Sequence, residues 1–580
     1  MKWWAAFATL FGVALLVETT WFRHGKSVTF DETIYLSGAL QTLHDGRLDP
    51  RLAAAGVAPL PILLEYLFPL SFAEREQRPS LAEGKLQDAR LIDGPRLSNS
   101  ILVGLPLLLI VSAWLYRRRG LVAAAVGAGL VAFSPSIIAH AALATTDACF
   151  AMCTLLALAS LAWYFSRPTR PRFAVMAAAI ATAMAAKYSG AFLLPVAAIL
   201  FVMQATGHRT EDGRIENGTV PFRAACWKIA LTISTLLVLV VTIWWGLHLF
   251  SFTGPLKNLP LEETPDSSPW VRMLGRSAAA DTIMRIAHED LRRPAPLDGV
   301  LYQYLHNRGG HSAFLMGRRS VTGWWYFFPV AMLIKSTPVE LLLLAGLLLL
   351  TIASLRSPWR RPAALDIEMR VIVMAAAVYS VLLLTSRINI GHRYLLPLYP
   401  LLILAGVDRL WEWLGPRRKT KVGIAAALVM GQAASCLTVA PHYLAYFNAA
   451  VGGPQRGWHY LVDSSIDWGQ DLPALSGELK RLGYQRVALQ YFGTADPRAY
   501  GIRADRFSDL ARPVEQYEAI AVSVTNLQGL YLQGEDPFRE LRQSPSVGRA
   551  GYSILIFDLS DRRTQQALRK ALLARPSQAE

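Results

Sequence analysis

Cysteine is scarce in this sequence. The 580 residues hold four, with Cys149 and Cys153 one helical turn apart in an apolar run and Cys226 and Cys436 far away. Such spacing supports neither a disulfide framework nor a metal knuckle. Charge is sparse as well, at 17% of residues. Lys and Arg outnumber Asp and Glu by 58 to 42, a formal net charge of +16. The basic residues punctuate apolar runs and form no block interleaved with aromatics, which argues against nucleic acid as a partner. An internal repeat of the kind that inverted-repeat transporters carry is also missing.

Apolar sequence is abundant. Hydrophobic residues make up 53% of the chain, with mean hydropathy +0.30, and they are clustered in runs, as in a polytopic membrane protein. Residues 3–20 follow Lys2 without a small-residue cleavage site, so they are expected to be an uncleaved first span with the N-terminus inside. Further runs end at Arg117-Arg118-Arg119, at Arg167, Arg170 and Arg172, at Arg356, Arg360 and Arg361, and at Arg417-Arg418-Lys419. The positive-inside rule places these clusters in the cytoplasm and leads to about eleven transmembrane helices. Several runs are short for a straight span. Residues 207–228 are expected to be an inner loop, and 251–323 a long outer one ending in an aromatic belt at 324–328.

Composition changes after residue 440. Runs at 486–492, 519–524 and 552–557 have the length and content of buried strands, with a helix expected over 472–482. The fold class expected is a polytopic α-helical membrane protein, residues 1–440, carrying an extracytoplasmic α/β domain, residues 441–580.

Chemistry centres on Asp31 and Glu32, just beyond the first span. Thr29 and Glu32 match a capping box, so a purely structural role in starting a helix is one reading. The other is catalytic, because the carboxylates stand at the membrane face, before an amphipathic stretch with Leu36, Leu40 and Leu43 on one side. Asp147, after Thr145-Thr146, is a further acid at an outer turn and equally a candidate N-cap. Arg96, Lys187, Lys335 and the adjacent His392-Arg393 lie in four separate outer turns. Singly each reads as an interfacial side chain, but together they would make a cationic pocket for a lipid-borne phosphate. Asp463, Asp467 and Asp471 cluster around Trp468-Gly469, where Asp467 or nearby Ser465 reads as a helix cap rather than a sugar site.

Several of these stretches resemble the GT-C glycosyltransferases that use lipid-phosphate sugars, in particular the protein O-mannosyltransferase and aminoarabinose transferase branch. The resemblance is carried by Phe30-Asp31-Glu32 with Tyr35, Arg96-Leu97-Ser98, Ser134-Pro135, Thr146-Asp147 and Lys187-Tyr188-Ser189-Gly190. It continues in Trp325-Tyr326-Phe327, Lys335-Ser336-Thr337-Pro338 and Gly391-His392-Arg393-Tyr394-Leu395-Leu396-Pro397. Ala58-Pro59-Leu60-Pro61 departs from the His-Pro-Pro that relatives often show. The resemblance implies inverting transfer of a sugar from a polyprenyl phosphate to a protein, lipid or glycan acceptor on the extracytoplasmic face. The enzyme would be an integral protein of a bacterial inner or plasma membrane. It implies Asp31 as base and Glu32 and Asp147 as positioning acids. Lys187, His392 and Arg393 would hold the donor phosphate, with Arg96 and Lys335 as secondary candidates. No cofactor or metal is required in principle, since fixed cations can meet the charge of the leaving phosphate. A glycolipid transporter or flippase is the rival reading, and would place ionisable groups or broken helices near mid-membrane.

Overall fold

The computed structural model describes residues 2–71, 89–206, 222–253, 278, 293–356, 365–510, 513–531 and 536–573. Much of the expected inner loop at 207–228 and outer loop at 251–323, with Arg360 and Arg361, lies outside them.

Among the described residues, six helices are long and apolar enough to cross a membrane: Lys2–His24, Asp93–Arg119, Thr146–Ser166, Cys226–Leu247, Ile367–Thr385 and Arg418–Leu437. A seventh is a pair, Leu121–Ala132 and Pro135–Ala142, bent by 62° at Ser134-Pro135. The proline cannot continue the first helix but suits the first position of the second. His140 sits buried within the second of these helices. Arg170–Ala186, Leu193–Thr206, Pro338–Arg356 and Leu398–Leu414 add shorter helices.

One end of the bundle is tied by ions. Arg118 and Arg119 both bond Asp408 of Leu398–Leu414, at 2.8 and 2.7 Å. Arg117 and Arg118 also reach Glu368, which opens Ile367–Thr385. The basic cluster expected to mark one side of the membrane is thus also an inter-helix clamp. Asp408, only 2% exposed, needs both guanidinium groups to offset its burial.

At the other end, the helix Phe30–Asp45 starts at the capping box of Thr29 and Glu32 and stops at Gly46, whose φ of 66° ends it in the left-handed region. Against this end packs a sheet of five strands. Its order is Ala504–Arg506, Val487–Gln490, Ala519–Ser523, Ile554–Asp558, Gly548–Ala550. The first two pairings are parallel and the last two antiparallel. The central strand Ala519–Ser523 is buried throughout, as expected of a continuous apolar run covered on both faces. The helices Leu472–Leu482 and Arg562–Leu573 belong to the same unit.

Backbone hydrogen bonds join this unit to the segment after the first helix. Ser27 N–H donates to Gln470 O at 2.8 Å and Phe30 N–H to Trp468 O at 3.0 Å. A buried ion pair reinforces them, Lys26 Nζ to Asp471 at 2.5 Å, with His442 Nδ1 2.6 Å from the same ammonium. Asp471 thus fixes where the acidic pair begins and makes no side-chain bond as cap of Leu472–Leu482. Asp467, one of the two residues expected as a helix cap, is not the cap of Leu472–Leu482. Its oxygens accept from Thr525 N–H and Gly469 N–H.

Candidate active site

Asp31 occupies the first turn of Phe30–Asp45, where a carboxylate is favoured by the helix dipole. Its side chain keeps 21% exposure and accepts from Arg393 Nη1 at 2.5 Å. Tyr35, one turn on, donates to it at 3.5 Å. Arg393 comes from the short turn His392–Leu395, between Ile367–Thr385 and Leu398–Leu414. That turn abuts the C-terminal unit so closely that a Cβ on Gly391 would lie 2.2 Å from Ser464 Oγ; only glycine fits there.

The same Arg393 Nη1 lies 3.7 Å from Asp147, whose side chain is 1% exposed. Asp147 stands in the first turn of Thr146–Ser166 and accepts from Lys187 Nζ at 2.6 Å. Lys187 is the break between Arg170–Ala186 and the turn Tyr188–Phe192. Four sequence candidates from four separate elements therefore form one chain of alternating charge, Asp31, Arg393, Asp147, Lys187. Aromatic rings pack against its cations. Arg393 lies 4.4 Å from the Trp468 ring centre and Lys187 4.3 Å from that of Tyr394. Burial opposes the charge of Arg393, but Asp31 and Asp147 outweigh it, so its guanidinium is held more firmly protonated than usual. Its Nε, Asp147 Oδ2 and His140 Nδ1 are buried without a hydrogen-bond partner. Such groups are costly to leave unmet and suit a site that completes its bonds on a ligand.

The remaining candidates are not brought into this chain. Glu32 and Arg96 face each other as a fully buried pair, 0% exposed on both sides, at 2.7 Å. Glu32 also accepts from Thr29 N–H, Thr29 Oγ1 and Ala144 N–H. Arg96 donates further to the carbonyls of Arg23, Lys26 and Ser27. Neither has a polar atom left for sugar or phosphate, and their geometry is that of a brace beneath Asp31. Lys335 is buried and donates to the carbonyls of Leu444 and Ser465, and burial pulls its pKa well down. His392 is buried with Nε2 2.6 Å from Tyr399 Oη. Burial, with Lys335 nearby, lowers its pKa far enough to leave a neutral ring. It supplies no fixed positive charge.

Sequence reasoning passed over Trp468 and left Tyr35 without a role. Tyr35 had a signal, its i+4 spacing from Asp31 on one helical face. Trp468 had none, because its contact with Arg393 joins positions remote in sequence. Among the described residues no three His, Cys, Asp or Glu side chains gather as a metal-binding set.

No curated protein matches the chain. Among solved structures, ArnT from Cupriavidus metallidurans bound to undecaprenyl phosphate aligns at 14% identity and TM-score 0.45, covering 96% of this chain and 97% of that one. The Archaeoglobus fulgidus oligosaccharyltransferase in complex with Zn and sulfate aligns at 12% identity and TM-score 0.45, over 91% and 70%. A family match is found for residues 94–253, to the model described as dolichyl-phosphate-mannose-protein mannosyltransferase. That stretch holds Arg96, Asp147 and Lys187.

Proposed function

We propose that this chain is a membrane glycosyltransferase that moves a sugar from a polyprenyl-phosphate donor to an acceptor hydroxyl, with inversion. The observation that carries this reading is the alternation of Asp31, Arg393, Asp147 and Lys187 at one point beside the helix ends. Asp31, the partly exposed acid, takes the proton as the acceptor oxygen forms its bond to the anomeric carbon. On the opposite side of that carbon the bond to the phosphate oxygen breaks, and its electron pair leaves on the polyprenyl phosphate. Arg393 and Lys187 meet the departing charge, the guanidinium with a two-pronged grip and the ammonium as a point charge. Asp147 holds both cations in place before the donor arrives. Sugars of the hexose or pentose class, and acceptors that are proteins, lipids or glycans, are all compatible with this arrangement.

The finer architecture belongs to the same proposal. The six long helices, the bent pair and the four shorter helices make eleven spans. On this reading, with the basic clusters inside, residues 441–580, Asp31 and Arg393 share the extracytoplasmic face of a bacterial inner or plasma membrane. The test is to supply purified protein with synthetic polyprenyl-phosphate sugars and measure free polyprenyl phosphate and glycosylated acceptor. Movement of the donor across vesicle bilayers without cleavage would instead establish the flippase.

A further inference from the structure

A second polar site lies where the hairpin before the aromatic belt meets the C-terminal unit, and it shares no residue with the ion chain. The hairpin of Ala313–Leu315 and Arg318–Ser320 faces residues 527–531 and 536–542 across a cleft of about 550 Å³. Among the described residues its walls carry Arg319, Arg539 and Arg542 with Gln528 and one acid, Asp536. Asp536 bonds Arg542 at 2.7 Å, and Arg542 also donates to Leu527 O. Arg319 donates to Gly529 O at 2.6 Å. This approach depends on the glycine, whose φ is +66° and whose Cβ would sit 2.9 Å from the guanidinium. Arg319 and Arg539 have no carboxylate partner among the described residues, so the cleft carries more positive charge than its own acid offsets. Guanidinium forks of this kind match carboxylate and phosphate oxygens.

A line of rings runs from this cleft to Asp31. Phe30, adjacent to Asp31, stacks on Phe492 at 5.9 Å, and Phe492 on Tyr531 at 5.5 Å, with planes 13° and 7° apart. Phe30 and Tyr531 are each 38% exposed, beside a carboxylate that is itself open. Tyr531 donates to Asp463 and stands two residues after Gly529, whose carbonyl accepts from Arg319 of the cleft. Apolar ring edges followed by Arg, Gln and Asp form a surface suited to the CH faces, hydroxyls and charges of a sugar chain.

We propose that this cleft is an acceptor subsite for an anionic saccharide, one bearing a carboxylate or a phosphate, whose reacting hydroxyl is delivered along the Phe30–Phe492–Tyr531 ledge to Asp31. The inference rests on the glycosyltransferase reading. It assigns binding to Arg319 and Arg539, and leaves donor chemistry at Arg393.

The test uses the full chain in detergent micelles and titrates four probes: an oligogalacturonate, a phosphorylated disaccharide, neutral maltotriose and an oligoglutamate peptide. At least one anionic saccharide is expected to bind ten times or more tighter than maltotriose. Its affinity should fall with salt and fall tenfold or more in Arg539→Gln and in Arg319→Gln/Arg539→Gln. The oligogalacturonate and the phosphorylated disaccharide distinguish carboxylate from phosphate as the anion. Binding of a polyprenyl phosphate in the same samples should be unchanged, which shows that the variants are folded and the donor site intact. Equal affinity for maltotriose, preference for the peptide, or unchanged affinity in the folded variants would overturn the subsite. Loss of donor cleavage in the unaltered protein would instead overturn the enzyme reading.

Discussion

Arg393 reaches Asp31 with one nitrogen, at 2.5 Å, and the same nitrogen lies 3.7 Å from Asp147. One guanidinium thus sets the spacing between the open carboxylate and the buried one. If Asp31 is the base, Asp31→Asn keeps the shape and the bond from Arg393 but removes the proton acceptor. Turnover should then fall roughly a hundredfold or more, while donor binding persists. Thr29→Ala, which loosens only the helix start, should cost about 1 kcal/mol of stability and little turnover. Near-normal turnover in folded Asp31→Asn would end the role assigned to Asp31.

Arg393→Lys keeps a positive charge but loses the planar fork and much of the contact with Trp468. Donor affinity should drop by about tenfold, and further in Arg393→Ala, where Asp31 loses its counter-charge. Equilibrium binding of a polyprenyl phosphate measures this. Equal affinity in all three proteins would remove Arg393 from the phosphate site.

The buried pair Glu32–Arg96 should behave as structure. Arg96→Met leaves a carboxylate with 0% exposure unpaired and should destabilise the protein by roughly 3–5 kcal/mol. The double change Glu32→Leu/Arg96→Met should recover a good part of that loss, because it removes both charges from the interior. Thermal unfolding of the two purified variants checks it. A Glu32→Gln protein of unaltered stability but without turnover would mean that Glu32 touches the substrate after all.

Topology offers an independent check. A reporter joined after Ala440 should read as extracytoplasmic and one joined at Gly120, beside the clamp of Arg118 and Asp408, as cytoplasmic. A cytoplasmic reading at Ala440 would separate the C-terminal unit from the face assigned to Asp31.

Much of the fold was legible in the sequence because its signals are local. Apolar runs mark the helices, Thr29 and Glu32 mark a helix start, and the run at 519–524 reads as a strand. Asp31, Asp147, Lys187 and Arg393 stood out as charged residues in separate turns. What could not be read was how those turns converge. Arg96 and Arg393 look alike in sequence, yet one meets five buried acceptors and the other an open carboxylate. The difference is made by packing between remote segments, as is the contact of Trp468 with Arg393. Lys335 and His392 lie away from the ion chain for the same reason, since packing turns Lys335 onto the carbonyls of Leu444 and Ser465 and His392 onto Tyr399.

The last prediction concerns pH and Asp467. Burial raises the pKa of this carboxyl to about 8, with Asp471 nearby adding to the shift, although Thr525 and Gly469 favour the ionised form. Between the ordinary value of 3.8 and about 8, the folded protein holds a proton that the unfolded chain has released. Stability should therefore fall as pH rises through that window, by at most about 1.4 kcal/mol per pH unit, and level off above it. Asp471 works in the opposite sense, since Lys26 and His442 hold its pKa below 3.8 against the effect of burial. Its contribution is complete at neutral pH and is lost only in strong acid. Asp467→Asn should abolish the fall between pH 5 and 8 while lowering stability somewhat, because an amide nitrogen replaces one acceptor. Since Trp468 follows Asp467 directly and packs on Arg393, the unaltered enzyme should also lose donor affinity towards alkaline pH, and the Asn variant should lose less. Unfolding midpoints and donor affinity measured from pH 5 to 9 on both proteins decide it, and an identical decline in the two would show that another group carries the pH dependence.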